Sequence, residues 1–289
     1  MTVPVGTARM ACLVAAGLCL ATARVAPGEA QPALQFRDVT AESGIAFQHT
    51  DGSGGRYYIV EYVSSGLATF DSDGDGRIDI YFLNGAPLPG TDWRGPPPRN
   101  RLYRNRGGWR FEDVTEQAGV GDTGFGLGVT AADYDNDGRA DLYVNNFGTN
   151  RLFRNRGEVR FEDVTAAAGV GRGNRVGAGV NFLDVDGDGM LDLFVSNYVQ
   201  SPLIDRKPHT LRGFPAYPSP LDFQPEINTL FHQQPDGRFV DVTDRSGIGA
   251  CRGTGMGTVC ADFDGDGDTD IFVANDVMAS FLFENDGHG

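Results

Sequence analysis

Apolar and polar positions along this chain alternate in short runs, and the runs recur. Stretches such as GLATFD (66–71), IYFLNG (80–85), LYVNNF (142–147) and LFVSNY (193–198) have period-two patterning, are rich in β-branched and aromatic residues, and are bounded by Gly, Asn and Asp. That pattern predicts short strands with no helix. Self-comparison finds one unit four times. It begins F-x-D-V-T, as FRDVT (36–40), FEDVT (111–115), FEDVT (161–165) and FVDVT (239–243). An aspartate loop comes next, then a strand, then an L-[YF]-x-N type element: NRLYRNRG (100–107), NRLFRNRG (150–157), NTLFHQQPDG (228–237) and SFLFENDG (280–287). Phe36, Phe111, Phe161 and Phe239 are 75, 50 and 78 residues apart, so the bare unit is about 50 residues and two copies carry insertions. Four antiparallel strands repeated at this period predict the blades of an all-β propeller. The expected strand order is GLATFD, the strand after the loop, the L-[YF]-x-N strand and the F-x-D-V-T strand.

The loops read DSDGDGRID (71–79), DYDNDGRAD (133–141), DVDGDGMLD (184–192) and DFDGDGDTD (262–270). Each fits D-x-D-x-D-G-x-x-D, with oxygen donors two residues apart and a glycine (Gly76, Gly138, Gly189, Gly267) where the chain must curl. Hard oxygen donors in this spacing predict about four Ca²⁺ sites. Side chains come from Asp71, Asp73, Asp75 and Asp79; Asp133, Asp135, Asp137 and Asp141; Asp184, Asp186, Asp188 and Asp192; and Asp262, Asp264, Asp266 and Asp270. Position seven (Arg77, Arg139, Met190, Asp268) is expected to offer its backbone carbonyl, and position nine to bind bidentately. Ca²⁺ suits the set better than Mg²⁺, which demands tighter octahedral geometry. An ordinary hairpin turn needs one Asp, not four. An EF-hand is excluded because position twelve is Phe82, Val144, Val195 or Val273 where Glu is required, and because the flanks alternate as strands.

Charge changes the picture in one direction. The chain of 289 residues has net charge -15, with 39 Asp+Glu against 24 Lys+Arg, which excludes gripping nucleic acid through a general positive field. Four divalent ions would neutralise about half of that charge. At the start, Arg9 precedes an uncharged apolar run, Met10 to Ala23, followed by Arg24, Pro27 and Gly28. The run is too short to span a bilayer, and Ala21-Thr22-Ala23 offers a small-x-small cleavage site, so residues 1–30 read as a signal peptide and 31–289 as the propeller repeats. No later segment has the pattern of a transmembrane span. Cys12 and Cys19 fall in the leader. Cys251 and Cys260 remain in the mature part as a candidate disulfide, with two reduced thiols as the alternative.

These residues resemble the FG-GAP/VCBS-type repeats of integrin-α-like β-propellers. The paired F-x-D-V-T and N-x-L-[YF]-x-N elements are similar to the cartilage acidic protein family, also described by its ASPIC/UnbV domain. The resemblance covers residues 34–289 and implies an exported calcium-binding propeller, secreted, periplasmic or on the cell surface. It departs from the family where the chain stops at Gly289, before further repeats and the ASPIC/UnbV domain. Two expectations follow: that the chain is part of a longer protein, or that FRDVT supplies the last strand of the fourth blade and closes a small ring.

Function is expected on the face opposite the aspartate loops, where two insertions lie. These are 84–99, with Trp93 among prolines, and 197–227, with Tyr198, Phe214, Tyr217 and Phe223. Aromatic residues on semi-rigid proline loops suit recognition of a protein or glycan partner. The stretch 47–65 is expected to pack rather than bind. His49, His209, His232 and His288 show no metal or triad spacing, and GxSxG is absent. The expected role is therefore a binding module and not an enzyme. Two alternatives are a calcium-dependent polysaccharide lyase or hydrolase, and a structural segment supporting a C-terminal domain.

Overall fold

The computed structural model describes residues 35–200, 202–203 and 209–287. The proposed leader, its two cysteines and His288 lie outside them, as does the side chain of His209. The chain divides into a unit ending at Asp38 and a second unit from Val39, and all of the blades belong to the second.

The first blade contains β1 (Leu67–Phe70), β2 (Asp79–Phe82), β3 (Arg101–Asn105) and β4 (Phe111–Asp113). The second contains β5 (Phe125–Ala132), β6 (Asp141–Phe147), β7 (Arg151–Asn155) and β8 (Phe161–Asp163). In the third, β9 (Val180–Leu183) and β10 (Asp192–Val195) are followed by an inserted hairpin, β11 (His209–Leu211) and β12 (Phe214–Ala216), and by the short β13 (Glu226–Ile227). The blade is completed by β14 (Thr229–Gln233) and β15 (Phe239–Asp241). Finally β16 (Arg252–Gly253) pairs with β13, and β17 (Gly255–Ala261), β18 (Asp270–Asn275) and β19 (Phe281–Phe283) make a three-stranded sheet. Every blade is antiparallel, in the strand order expected from the repeat.

Strand alternation decides the packing. One face of each strand pair meets the next blade, so the cores lie between blades. Ala68, Phe70, Tyr81 and Leu102 of the first blade pack with Leu142, Val144 and Phe153 of the second. Tyr143 and Leu152 meet Leu193 and Phe231, and Phe194 and Leu230 meet Ile271 and Val273. The leading strands neighbour one another in turn, β1 on β5, β5 on β9 and β9 on β17.

Two expectations fail here. First, the chain is not free of helix: the F-x-D-V-T motif runs into a single helical turn, α1 (Thr40–Ser43), α2 (Thr115–Ala118) and α3 (Thr165–Ala168). The cause is local chemistry that period-two patterning does not register. The Asp113 carboxylate accepts from the Thr115 N–H at 3.1 Å and from its hydroxyl at 2.6 Å, which bends the chain into a turn. The same hydroxyl accepts from Leu102 N–H at 2.9 Å and ties the turn back to β3. Gly119, at φ 74°, then closes the turn in the left-handed region. Second, residues 36–39, expected as a strand, form none, and Phe36 is exposed.

Candidate metal centre

Each aspartate loop joins the first two strands of its blade, and its backbone is set by hydrogen bonds from its own N–H groups. The position-one carboxylate accepts from the glycine at position six, at 2.7 Å in the first two loops, 2.9 Å in the third and 3.1 Å in the fourth. Position five accepts from the position-seven N–H, as in Arg77 N–H to Asp75 at 2.9 Å and Met190 N–H to Asp188 at 2.8 Å. Position four is left-handed as well as position six: Gly74, Gly187 and Gly265 have φ of 76°, 70° and 85°, and Asn136 has 58°. The restriction to Gly or Asn there is legible in all four loops, since these residues tolerate that region.

Position nine has a larger part than its spacing suggests. Asp79, Asp141, Asp192 and Asp270 are all buried. One carboxylate oxygen accepts from the N–H of position two, at 3.0 Å for Ser72, 3.1 Å for Tyr134 and Val185, and 3.0 Å for Phe263. The other accepts from the third strand, from Asn105 N–H, Asn155 N–H and Gln233 N–H at 2.7 Å, and in the fourth blade from Asn285 N–H, just past β19, at 2.8 Å. This aspartate therefore clamps the loop to the blade. Only the pairing of β2 with β3, and its equivalents, brings those donors together.

The clusters that result are the same in each blade. Carboxylate oxygens of Asp71, Asp73 and Asp79 come within 4.8 Å of one another, as do those of Asp133, Asp135 and Asp141, of Asp184, Asp186 and Asp192, and of Asp262, Asp264 and Asp270. Position five is not part of these groups. Asp188 instead joins Asp186 and His232 in a further cluster, while Asp75 and Asp137 are ion-paired to Arg77 and Arg139. Sequence reasoning did not foresee Arg104 and Arg154 of the third strands. Arg104 contacts Asp73 and lies 3.3 Å from Asp75, and Arg154 contacts Asp135 and lies 3.4 Å from Asp137.

Electrostatics match the crowding. Burial pushes the Asp141 carboxyl up to about 7 and Asp192 up to about 6. Burial also raises Asp73 and Asp135, and neighbouring carboxylates add to it against the pull of Arg104 and Arg154. Oδ1 of Asp135 is buried and accepts no hydrogen bond among the described residues, and its Oδ2 meets Arg154 as an ion pair without hydrogen-bond geometry. Clustered hard oxygens with an orphaned lone-pair site fit an oxygen-seeking divalent cation.

The other candidates are scattered. Cys251 and Cys260 are both free thiols, so the disulfide is not made. Cys260 lies on β17 and packs against the core between the third and fourth blades, and burial pushes its thiol up to about 12. Among the insertion aromatics, Tyr198 and Phe223 are buried with Tyr58, Ile59 and Val60, which removes them as partner contacts. Trp93 (41% exposed), Phe214 (73%) and Tyr217 (37%) remain accessible. Trp93 borders a cleft of about 500 Å³ with His49, Pro97 and Arg101. Tyr217 donates its hydroxyl to Glu61 at 2.9 Å and packs edge-on against Tyr57 and Tyr62, pinning the inserted hairpin to the 57–62 segment. No described helix is long and apolar enough to cross a membrane.

The chain is similar to known proteins. The family described as FG-GAP-like repeat matches residues 71–144, 136–195 and 222–273. Cartilage acidic protein 1 of Mus musculus is 26% identical over 215 residues and that of Xenopus tropicalis 29% over 225, each over 73% of this chain and 30% of the relative. The chain spans less than a third of the length of these curated relatives. A lectin of Agrocybe aegerita, described by its specific recognition of non-reducing terminal N-acetylglucosamine, is 17% identical over 78% of this chain and 64% of its own, with a TM-score of 0.31. A superposition that loose carries no argument about function.

Proposed function

The chain belongs to the FG-GAP-like repeat family, and on that premise we propose that it is an exported calcium-binding β-propeller that acts as a binding module for a protein or glycan partner. The observation that carries the calcium reading is the convergence of positions one, three and nine in all four blades. Ca²⁺ would be held by these carboxylates, with position five joining them and position seven offering its backbone carbonyl. The ion supplies charge neutralisation and a rigid crosslink across the loop. Each blade then presents a fixed hairpin end, and the rigidity passes through the position-nine clamp into the sheet.

Partner choice falls to the opposite face, where both insertions emerge between the second and third strands of their blades. Trp93, Phe214 and Tyr217 offer the accessible apolar surface there. The export reading rests on the charge and apolar pattern of residues 1–30, and the repeats then occupy 31–289.

The test is a Ca²⁺ titration of the metal-stripped protein that follows melting temperature and stoichiometry together. Near four Ca²⁺ per chain with a rising Tm is expected; absence of binding at millimolar Ca²⁺ would sink the metal assignment. For the partner face, Trp93→Ala and Phe214→Ala should weaken capture on a glycan or matrix-protein array while leaving Ca²⁺ stoichiometry at its starting value.

A further inference from the structure

The four loops share their nine-residue pattern, but the third strand delivers a different side chain to each. Continuing the register by one residue sets Arg104 opposite Asp79, Arg154 opposite Asp141, His232 opposite Asp192 and Glu284 opposite Asp270, each just before the residue whose N–H the position-nine carboxylate accepts. Position seven varies in the same direction: Arg77, Arg139, Met190 and Asp268. The first two loops therefore hold four aspartates against two arginines, and both arginines contact them. In the third loop His232 Nε2 lies 2.8 Å from Asp186, with no arginine paired to the loop among the described residues. The fourth gathers five aspartates and Glu284, and none of these acids has an ion pair among the described residues.

A cation entering the first or second loop must displace a guanidinium from the carboxylate it needs and then sit beside that fixed positive charge. A cation entering the fourth displaces no ion-paired guanidinium among the described residues. Affinity of oxygen sites for Ca²⁺ follows the charge count of the loop, and Coulomb energy at these separations makes each unit charge matter. We propose that the loops fill in sequence, the fourth (262–270) first, the third next and the first two last, and that the third-strand residue opposite position nine, with position seven, sets this order. The arginines of the first two loops act as built-in counter-ions that hold those loops folded before calcium arrives. This rests on the calcium reading above.

The experiment is a calorimetric Ca²⁺ titration of the metal-stripped full chain at low ionic strength, for the wild type, Glu284→Gln, Glu284→Arg and Arg154→Gln. Glu284 is exposed, so its replacement leaves the core untouched, and near-ultraviolet circular dichroism certifies the fold of each variant. The wild type should show at least two classes, the tightest with one ion per chain. Glu284→Arg should weaken that class by about tenfold or more and Glu284→Gln by less, with the other sites unmoved. Arg154→Gln should tighten one weak site by about threefold or more. Four ions bound with a single affinity, or a tight class indifferent to Glu284→Arg, would overturn the ordering and leave the calcium reading standing. No bound ion in any variant would overturn both.

Discussion

The loops at 133–141 and 262–270 have the same ligand spacing and opposite surroundings. In the first, Asp135 is half-buried with its carboxylate oxygens shielded against Arg154, and Asn136 of the loop donates to the Gly189 carbonyl of the next blade at 2.8 Å. In the last, Asp262 and Asp264 are exposed and the blade has three strands. The position-nine carboxyl responds accordingly. Asp141 is raised to about 7 by burial, whereas Asp270 is held below the usual carboxylate range by the N–H groups of Asn285 and Phe263. A repeated motif thus guarantees the donor set and not the electrostatics. Those come from the neighbouring blade and from one residue on the third strand.

The comparison can be tested from its coarsest consequence downward. Chelation should have the largest effect. Removing the ions from all four loops is expected to lower Tm by about 10 °C or more, since each site saturated at 100 times its Kd stabilises by about 2.7 kcal/mol. Differential scanning calorimetry with and without chelator measures it, and an unchanged transition would break the premise that either loop is metal-dependent.

Next come single substitutions in the metal-free protein. Asp141→Ala leaves the N–H groups of Tyr134 and Asn155 without their acceptor inside the blade and should cost about 2–4 kcal/mol in urea unfolding. Asp262→Ala, at an exposed position, should cost less than about 0.5 kcal/mol under the same conditions. Equal losses would remove the distinction between clamp and rim.

The pH dependence is smaller and separates the two loops by sign. Asp141 and Asp192 have folded values near 7 and 6, above the roughly 3.9 of an unfolded Asp, so the folded metal-free protein binds more protons between those limits. Its stability should therefore fall as pH rises from about 4 through about 7. Asp270 works oppositely: its contribution is present above the unfolded value and is lost as pH falls through its lowered folded value. Melts of desalted, metal-free protein at pH 5 and pH 8 check this; a higher Tm at pH 8 would contradict the burial of Asp141. The smallest effect is that of salt. Raising ionic strength shortens the Debye length from about 10 Å at 0.1 M to about 3 Å at 1 M, so binding at the exposed fourth loop should weaken more than at the second. Titrations at both salt concentrations read it.

Much of this molecule was legible beforehand because its signals are local. Alternation in LYVNNF and LFVSNY marked strands, and D-x-D-x-D-G-x-x-D marked each hairpin and its donors. The helical turn after F-x-D-V-T was missed although its cause is also local, because Asp113 and Thr115 act through side-chain hydrogen bonds that hydrophobic periodicity does not see. Tyr198 and Phe223 were misread for a different reason. An aromatic residue in a proline-rich insertion has the same appearance in sequence whether it points outward, as Phe214 does, or into the cluster around Ile59 and Val60. Cys251 and Cys260, nine residues apart, gave no indication that Cys260 would be committed to the core between blades.

The repeat, the strand order within a blade and the oxygen donors of each loop follow from the residues alone, because all of these depend on one short period of the chain. Which aspartate became a buried clamp, which received an arginine, a histidine or a glutamate across the hairpin, and which aromatics stayed at the surface were settled by long-range packing. Burial and charge at those positions are set by groups 14 to 156 residues away, brought into contact by strand pairing and by the packing of one element on the next.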